Sequence, residues 1–465
     1  MRAFVLLVSG LLLACPASHR YSQLIRKEAV TPPVTVFHDV RVFTATDSTA
    51  LEHQDVRVEG GKIVAIAPTA PAPSGVRVIE GAGKTLLPGY VDFHVHLTGS
   101  PAPPWAVAWP DEAFNARALL AAGVTTAMDV GGEVDKLKAL WKRQGESSWL
   151  GPRFTYSGQI VSLRDGYPTS MVKILYPWPA NGLVDQRFSG PVSHPLEAHA
   201  AVDFRLHEGA LHIKLAIASV PLNAQTMPPE LVEATVKRAH ERGVKAVAHI
   251  DTAVHALRAT RAGIDALMHG IHLGGLTAEE AQELKRAGVV VAPTLVVFDR
   301  AEQLVQFRFA PTEVEKRLYP ESFLKPFSPD VAREQKLDPQ LMEWLGQLQA
   351  DRPKRLAAVK TLHDAGVPLM VGSDAAGSIG CLAGGAFLDE FKLLSEAGVP
   401  NADVLRGATV LPARYLAGPS ADFGTIEPGK RADLVLVDGD PLADITATSR
   451  IVNVMQGGAL IERVE

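Results

Sequence analysis

Two histidines separated by a single residue are the first feature of this sequence that could perform chemistry. His94 and His96 lie at the end of an apolar run that starts at Tyr90, and a strand points alternate side chains to opposite faces. The two imidazoles therefore face the same way, and neighbouring imidazoles can hold one metal ion. A lone pair of this kind is weak evidence, because histidines also occur in ordinary cores.

Further residues with ligand chemistry lie in or after other apolar runs. Lys214 lies within such a run, where a bare ammonium is costly unless the amine reaches solvent at the strand end. His249, His269 and Asp374 each lie at the end of an apolar run or just beyond it. Candidate ligands on five separate runs are hard to explain as unrelated core residues, so they indicate one shared site.

The runs that would position these residues alternate with helical patterns, which is typical of βαβ units and a parallel sheet. Two of the helical patterns are Glu230–Arg242 and Ala357–Ala365. The alternation predicts an α/β fold, a (β/α)8 TIM barrel over residues 87–416, with its chemistry at the C-terminal ends of the strands. The candidate strands are Tyr90–His94, Thr125–Val130, Phe154–Ile160, His212–Ile217, Ala246–Ile250, Ala266–His269, Val289–Pro293 and Leu369–Gly372.

The two ends of the chain share a sequence pattern that is typical of β-strands. Residues 34–86 and 417–465 contain short alternating apolar runs, with hairpin signals at Gly60-Gly61 and Gly457-Gly458. Chain termini often lie close together, so the two segments are predicted to form one small composite β-sandwich.

The interval at about residues 299–353 is too long for a simple connection between the seventh and eighth strands. It contains several aromatic residues, including Phe307, Tyr319 and Trp344. An insertion on this loop lies over the active-site face of a barrel, so it is predicted to be a lid-like element. The alternative is a helical decoration that touches no substrate.

The composition is that of a globular protein. Hydrophobic residues make up 47% of the chain, charged residues make up 21%, and the net charge is −5. The sequence has no run of five or more Lys or Arg residues, so neither a nucleic-acid partner nor binding to an anionic membrane surface is indicated. Beyond residue 18 the sole cysteine is Cys381, so no internal disulfide is expected.

Residues 1–18 have the pattern of an export signal. The apolar stretch Ala3–Ala14 is too short for a permanent bilayer span but typical of a signal peptide. Leu12-Leu13-Ala14-Cys15 resembles a bacterial lipobox, in which Cys15 carries the lipid; the alternative is an ordinary signal peptide with an incidental cysteine. Residues 19–33 are then predicted to be a tether, and the protein is expected to be exported, periplasmic or anchored to the outer membrane through its lipid alone.

The segment that contains the first histidine pair also carries a family resemblance. The run Leu86–His96 resembles the opening of the amidohydrolase superfamily, in which a strand enters the barrel directly from the sandwich. Gly424–Val435 resembles the return of that family's chain to its sandwich. The resemblance therefore covers most of the chain.

The resemblance implies a binuclear metal site. In this family the buried lysine is carboxylated and bridges two divalent metal ions, and imidazole and carboxylate ligands suit Zn²⁺. It also implies that Asp374 acts as the acid and base of the reaction. The implied ligand set is His94, His96, Lys214, His249, His269 and Asp374.

Within the superfamily, the Xaa-Pro dipeptidase and imidazolonepropionase-like subgroup is the most similar, but the resemblance weakens where substrates bind. Ser157–Ser162 lacks the His that dipeptidases carry after strand three, and Gln225–Pro228 lacks their Tyr after strand four. Arg164 and Tyr167 are alternative candidates for binding a substrate carboxylate, although a surface-loop role is equally compatible with the sequence.

The sequence leaves three functions open. The first is hydrolysis of carbon–nitrogen bonds in amides, peptides or cyclic amides, and the second is hydrolysis of lactones or esters by the same site. The third is a non-catalytic surface binding lipoprotein, which the complete ligand set disfavours. The expected partner is a small molecule or short peptide, and a homo-oligomer is compatible with the sequence.

Overall fold

Strands from both chain ends form one sheet in the computed structural model, which describes residues 24–106, 111–176 and 178–464. Numbered along the chain, its strands are β1 (Ile25–Lys27), β2 (Val34–Val42), β3 (Leu51–Glu59), β4 (Lys62–Pro68), β5 (Arg77–Glu80), β6 (Lys84–Pro88), β16 (Leu434–Asp438), β17 (Ile451–Gln456) and β18 (Ala459–Arg463). The hydrogen-bonded order is β1-β18-β17-β16-β6-β2-β3-β4, with β5 beside β2. The sheet has an apolar core of its own, to which Phe37, Val56, Leu86, Leu434 and Met455 contribute.

Both predicted hairpins are confirmed. Gly60 and Gly61 join β3 to β4 with φ angles of 56° and 77°, and Gly457 and Gly458 join β17 to β18 with 58° and 84°. Two-residue hairpin turns need such positive φ angles, which glycine adopts without steric cost. The two turns also touch, because a Cβ on Gly61 would lie 2.8 Å from the carbonyl oxygen of Gly457.

The predicted tether over residues 19–33 is wrong where the structure describes it. Residues 25–27 form β1, which pairs antiparallel with β18. Ile25 is buried, and the Glu28 carboxylate accepts a hydrogen bond from the Leu460 backbone at 2.9 Å. The free edge of β18 and the apolar surface beneath it explain why a short mixed-polarity segment is ordered here. The signal-peptide and lipobox predictions, with Cys15, fall outside the described residues.

A second set of strands is parallel throughout. One sheet contains β7 (Tyr90–Val95), β8 (Val124–Asp129) and β9 (Arg153–Tyr156). The other contains β10 (Ile160–Leu163), β11 (Ser189–Val192), β12 (Ile213–Ala216), β13 (Ala246–His249), β14 (Ala266–Met268) and β15 (Val290–Ala292). Their order is β11-β10-β12-β13-β14-β15, and parallel strands with helical connections confirm the predicted α/β fold.

Backbone hydrogen bonds join these two sheets in two places. The Leu211 amide, just before β12, donates to the Tyr156 carbonyl of β9 at 2.9 Å. On the other side, the Met370 amide donates to Val291 of β15 at 2.8 Å, and the Phe93 amide of β7 donates to Val371 at 2.9 Å. The segment around residue 370 therefore connects β15 to β7.

Six of the eight predicted strands are observed within one residue at each end, and two differ. The predicted strand Phe154–Ile160 divides into β9 and β10, because Gly158 turns the chain with a φ of 71°. The predicted strand Leu369–Gly372 has only an isolated bridge, from Leu369 to Val291. Its Val371 amide bonds to the carbonyl of Gly407 at 2.9 Å instead of to a neighbouring strand.

Helices connect the parallel strands and cover them. Both predicted helices are present, and the second starts at Arg352, five residues earlier than predicted. None of the helices among the described residues is long and apolar enough to cross a membrane. The α-helices are Glu112–Ala121, Val134–Arg143, Thr169–Leu175, Ala180–Phe188, Pro195–His207, Pro229–Glu241, Ala253–Arg261, Ala278–Ala287, Leu295–Val305, Glu313–Leu318, Glu321–Leu324, Pro329–Arg333, Pro339–Ala350, Arg352–Asp364, Gly385–Glu396, Asn401–Gly407 and Val410–Ala417.

Several of these helices make up the long interval at residues 299–353. Ion pairs of two buried arginines hold the interval together and fix it to the rest of the protein, because Glu315 lies inside the interval and Asp389 and Arg355 lie outside it. Arg300 is 1% exposed and contacts Glu315 at 3.0 Å and also Asp389. Arg355 contacts Glu302 at 2.5 Å, again with both partners buried. The interval is therefore packed as part of the fold.

Candidate active site

His94, His96 and Asp374 meet at the C-terminal end of β7. His94 lies within β7, and His96 follows directly after it. The Nε2 atoms of the two histidines are 3.3 Å apart and lie 3.1 and 3.0 Å from Oδ1 of Asp374. All three side chains are buried, so these polar atoms face one another rather than solvent.

His249, His269 and Lys214 complete the cluster. His249 ends β13 and His269 follows β14, and the centroid of the His269 ring is 4.0 Å from that of His249 and 4.6 Å from that of His94. Lys214, in β12, is 1% exposed, and its Nζ has no hydrogen-bond partner among the described residues. Burial lowers the pKa of this amine to about 7. The structure thus brings together all six predicted ligand residues.

The donor set fits a divalent metal ion. Ligands at about 2.0–2.1 Å in a tetrahedron around Zn²⁺ would lie about 3.3 Å from one another. The distances among the ligand atoms of His94, His96 and Asp374 are 3.0 to 3.3 Å. His269 offers a further atom within 4.8 Å of those of His94 and Asp374. These polar atoms converge in a buried site, as the ligands of a shared cation must. The amine of Lys214 beside them has no hydrogen-bond partner among the described residues.

Burial and local charge set the protonation of these ligands. Burial lowers the pKa of His94 to about 3 and holds the pKa of His249 and His269 well below the ordinary value. Burial alone would raise the pKa of Asp374, but His94 and His96 hold it well below the ordinary value. Burial also opposes charge on His96, yet contact with Asp374 raises its pKa. Neutral imidazoles and a carboxylate are the forms that bind metal.

Hydrogen bonds away from the cluster orient two of the imidazoles. His96 donates from Nδ1 to the carbonyl of Gly131 at 2.5 Å. His269 Nδ1 lies 2.8 Å from the Thr294 hydroxyl. With Nδ1 engaged on the far side, the Nε2 atom of each ring is directed toward the site, as metal-binding histidines require.

A buried carboxylate holds the two residues that follow Thr294. Thr294 directly precedes the helix Leu295–Val305, and Glu390 accepts hydrogen bonds from the Leu295 and Val296 amides at 2.9 and 2.8 Å. Burial raises the pKa of Glu390 to about 8. Glu390 therefore acts as a positioning residue that fixes the helix start and, through Thr294, the ring of His269.

Backbone strain is concentrated at the cluster. His269, Thr294 and Asp374 have φ angles of 73°, 46° and 53°, in the left-handed region that disfavours residues with a Cβ. Gly377 approaches so closely that an added Cβ would lie 2.2 Å from Cδ2 of His96 and 2.5 Å from Oδ1 of Asp374. The chain therefore adopts costly conformations at the candidate ligands His269 and Asp374 and at Thr294 beside them.

Two cavities meet at the cluster. The inner cavity has a volume of about 400 Å³, and its walls include the candidate ligand residues His96, Lys214, His249, His269 and Asp374. The side cavity has a volume of about 150 Å³ and extends toward the helices of residues 295–350. The side chains of His249 and His269 line both cavities, so the two cavities join at the candidate metal ligands.

The two predicted substrate-binding residues, Tyr167 and Arg164, lie in different environments. Tyr167 lines both cavities, and its ring centroid is 4.3 Å from that of His249. Arg164 is exposed, donates to the Ser193 hydroxyl at 3.0 Å and lines neither cavity. The surface-loop alternative thus fits Arg164, because the side chain after β10 points to solvent.

The comparison with protein families agrees with this geometry. Residues 85–461 match the model of the Amidohydrolase family, which is most of the chain. The chain belongs to the amidohydrolase family.

The relatives of this amidohydrolase are either distantly similar over most of the chain or more similar over a short segment only. An allantoinase of Enterococcus faecalis is 42% identical over 76 residues, only 16% of either chain. A 5-methylthioadenosine/S-adenosylhomocysteine deaminase of Symbiobacterium thermophilum is 25% identical over 408 residues, covering 84% of this chain and 81% of the deaminase. Among solved structures, a Xaa-Pro dipeptidase with bound methionine has a TM-score of 0.71 at 22% identity, covering 93% of this chain and all of the dipeptidase. At that identity the likeness shows the fold alone.

Sequence reasoning missed part of the amidohydrolase site. Asp92 is buried and accepts hydrogen bonds from the Ser373 amide at 3.0 Å and its hydroxyl at 2.5 Å. Asp129 is buried and accepts from the Leu97 amide at 2.7 Å. Burial raises the pKa of both carboxyls to about 7. The alternation that places His94 and His96 on one face also applies to Asp92, so that residue could have been found.

Three further histidines outside the predicted ligand set are buried. His212 bonds to a backbone carbonyl at 3.0 Å. His255 lies against the Asp251 carboxylate. His272 is 1% exposed and lines the side cavity, and burial lowers its pKa to about 4.

Proposed function

We propose that this amidohydrolase is a metal-dependent hydrolase of carbon–nitrogen bonds in amides, peptides or cyclic amides. The observation that carries the proposal is the meeting of six buried ligand-type side chains at the joined cavities. Family membership and the names of its relatives, which include allantoinase, dihydroorotase and prolidase, support the same reaction class.

Two divalent ions, Zn²⁺ by ligand chemistry, would be held by His94, His96, His249, His269, Asp374 and a carboxylated Lys214. Such ions polarise a carbonyl and lower the pKa of water toward neutrality. Asp374 takes the proton of the attacking water and delivers it to the leaving nitrogen, since its carboxylate lies within the cluster and is ionised. Buried walls around His249 and His269 exclude bulk water from the reacting groups.

We further propose that the parallel strands form a closed (β/α)8 barrel capped by a terminal β-sandwich. The hydrogen bonds at residues 93, 211 and 370, which join the two parallel sheets, support closure. The separate core of the terminal sheet supports the sandwich.

Metal removal tests the proposed reaction. Chelation should abolish hydrolysis of a panel of dipeptides, N-acyl amino acids and cyclic amides, and about two equivalents of Zn²⁺ should restore it. Metal content by elemental analysis and product formation by mass spectrometry give the two readouts. Matched esters and lactones serve as the comparison: cleavage of these alone would assign the site to the other reaction class. Full activity after complete metal removal would refute the metal mechanism.

We also propose that the protein is an exported lipoprotein attached through Cys15. Replacing Cys15 with Ser should remove the lipid and move the protein from the membrane fraction to the soluble or unprocessed fraction. The measurement is labelling with a fatty-acid analogue followed by fractionation, and Cys381→Ser is the matched control, because that cysteine is buried in the fold. Continued membrane attachment of processed Cys15→Ser protein would contradict the anchor.

A further inference from the structure

The side cavity begins at the ligand cluster and ends among the inserted helices. Its cluster end is formed by His249 and His269. Its far walls come from the helix Leu295–Val305, which contributes Phe298 and Ala301, and from the helix Pro339–Ala350. A group attached to the reacting bond therefore has a direct path into this space.

The walls of the side cavity are mainly apolar, and their polar members besides the two cluster histidines are Tyr167, His272 and Ser378. Among the described residues, no Asp, Glu, Lys or Arg side chain lines the side cavity. The walls consist chiefly of aliphatic, aromatic and thioether side chains: Trp105, Met171, Leu175, Leu304, Leu341 and Trp344 are examples. A carboxylate or ammonium placed among these apolar side chains, away from the cluster, would meet no oppositely charged Asp, Glu, Lys or Arg side chain, so its burial would be costly.

The inner cavity differs in this respect. It contains Lys214 and Asp374 at the cluster, and Arg187, which lies 3.5 Å from Glu133, among its outer lining. Polar or charged parts of a substrate are therefore better accommodated in the inner cavity. The inner cavity also has apolar walls, and Met171 and Leu175 line both cavities, so the walls of the two spaces differ chiefly in that charged side chains line the inner one.

The size of the side cavity limits its occupant. An apolar protein cavity of about 150 Å³ takes up a molecule such as benzene, and the side cavity has that volume. A methyl group would leave most of the space empty, whereas a fused two-ring system would exceed it.

We propose that the side cavity binds an uncharged, phenyl-sized group attached to the carbon–nitrogen bond that is cleaved. This inference rests on the proposed hydrolase function and narrows its substrate class. Free dipeptides with a charged terminus on this side, and small polar cyclic amides, are then poor substrates. Amides with an aromatic ring or a branched alkyl group of similar size are preferred.

Four neutral amides test the proposal with zinc-loaded protein: N-methylacetamide, acetanilide, N-methylphenylacetamide and N-naphthylacetamide. One of the two phenyl amides should have a kcat/KM about 10- to 100-fold above that of N-methylacetamide, the gain expected from burying one such ring. The naphthyl amide should lose that gain. The side of the bond that carries the preferred ring shows which half of the substrate enters the side cavity.

Variants of the walls provide the control. Ala301→Phe should fill the cavity and abolish the preference for phenyl, and Leu341→Ala should extend the preference to naphthyl. Ala350→Phe adds the same ring at an exposed position on an inserted helix and should leave the preference unchanged. A phenyl preference that survives Ala301→Phe, or no phenyl preference at all, overturns the proposal.

A binding measurement separates this inference from the proposed function. If none of the four amides is hydrolysed, toluene binding is followed by saturation-transfer NMR in the wild type and in Ala301→Phe. Binding to the wild type but not to the variant supports the side cavity and counts only against the hydrolase assignment. Absence of toluene binding to the wild type overturns the inference itself.

Discussion

Replacing Lys214 with Ala should remove most of the bound metal and lower kcat by about a thousandfold or more. The amine of Lys214 is buried, unpartnered among the described residues and surrounded by imidazoles. With a pKa of about 7, roughly half of this amine is neutral near pH 7, and a neutral amine adds to CO₂, forming an N–C bond and releasing one proton. The resulting carbamate is an anion with two oxygens, and alanine offers neither oxygen.

Three measurements check this expectation. Elemental analysis should show at most one metal per chain in Lys214→Ala, against about two in the wild type. Isotope-labelled bicarbonate should give a carbamate signal by NMR in the wild type only. Acetate or propionate at high concentration should restore part of the activity, because it can occupy the vacated space.

A neighbouring lysine provides the control. Lys245 precedes β13 at the opposite end of the strand, beside the Tyr415 ring, so Lys245→Ala should keep metal and turnover. If Lys214→Ala retains two tightly bound ions and near-normal kcat, the bridging role is wrong. The site would then be mononuclear, held by His94, His96, Asp374 and one further histidine.

Replacing Asp374 with Asn should lower kcat by about 10²- to 10⁴-fold, because an amide cannot accept the proton of the attacking water. The substitution preserves size, and the Ser378 hydroxyl can still donate to the remaining oxygen. KM should change much less than kcat if the carboxylate acts in proton transfer. Steady-state kinetics and metal analysis of the same sample provide the measurement.

The metal analysis decides between two roles of Asp374. Loss of activity with retained metal supports proton transfer, whereas loss of metal together with activity shows that the carboxylate acts chiefly as a ligand. Asp403→Asn, in a half-exposed ion pair with His363, should match the wild type in both readouts. Unchanged kcat in Asp374→Asn would remove Asp374 from the mechanism.

Local patterns predicted most of the ligand cluster. Alternation along β7 places His94 and His96 together, and the remaining ligands follow because parallel strands present their C-terminal ends on one side. The same pattern located six of the eight predicted strands within one residue. These features depend on neighbours in sequence, so a single chain is enough to identify them.

Features that depend on distant partners were missed. Glu390 accepts a hydrogen bond from the amide of Leu295, which lies 95 residues earlier in the chain. No local sequence pattern predicts such a contact. The ordering of Ile25 depends on β18, more than 400 residues away. The left-handed backbone of Asp374 likewise results from tertiary packing, which outweighs local preference.

The buried ion pairs of the inserted helices have a consequence for the thermodynamics of binding. Separating Arg300 from Glu315, or Arg355 from Glu302, would leave an uncompensated buried charge, which costs about 3–5 kcal/mol. The walls of the side cavity are therefore preorganised, and a ligand that enters them pays little conformational entropy. Its binding should show the negative heat-capacity change of apolar burial without the large entropic penalty of ordering a loop. Substitutions of the side chains that line the cavity would then change the ligand preference while the backbone stays in place. No change in a hinge motion would be needed.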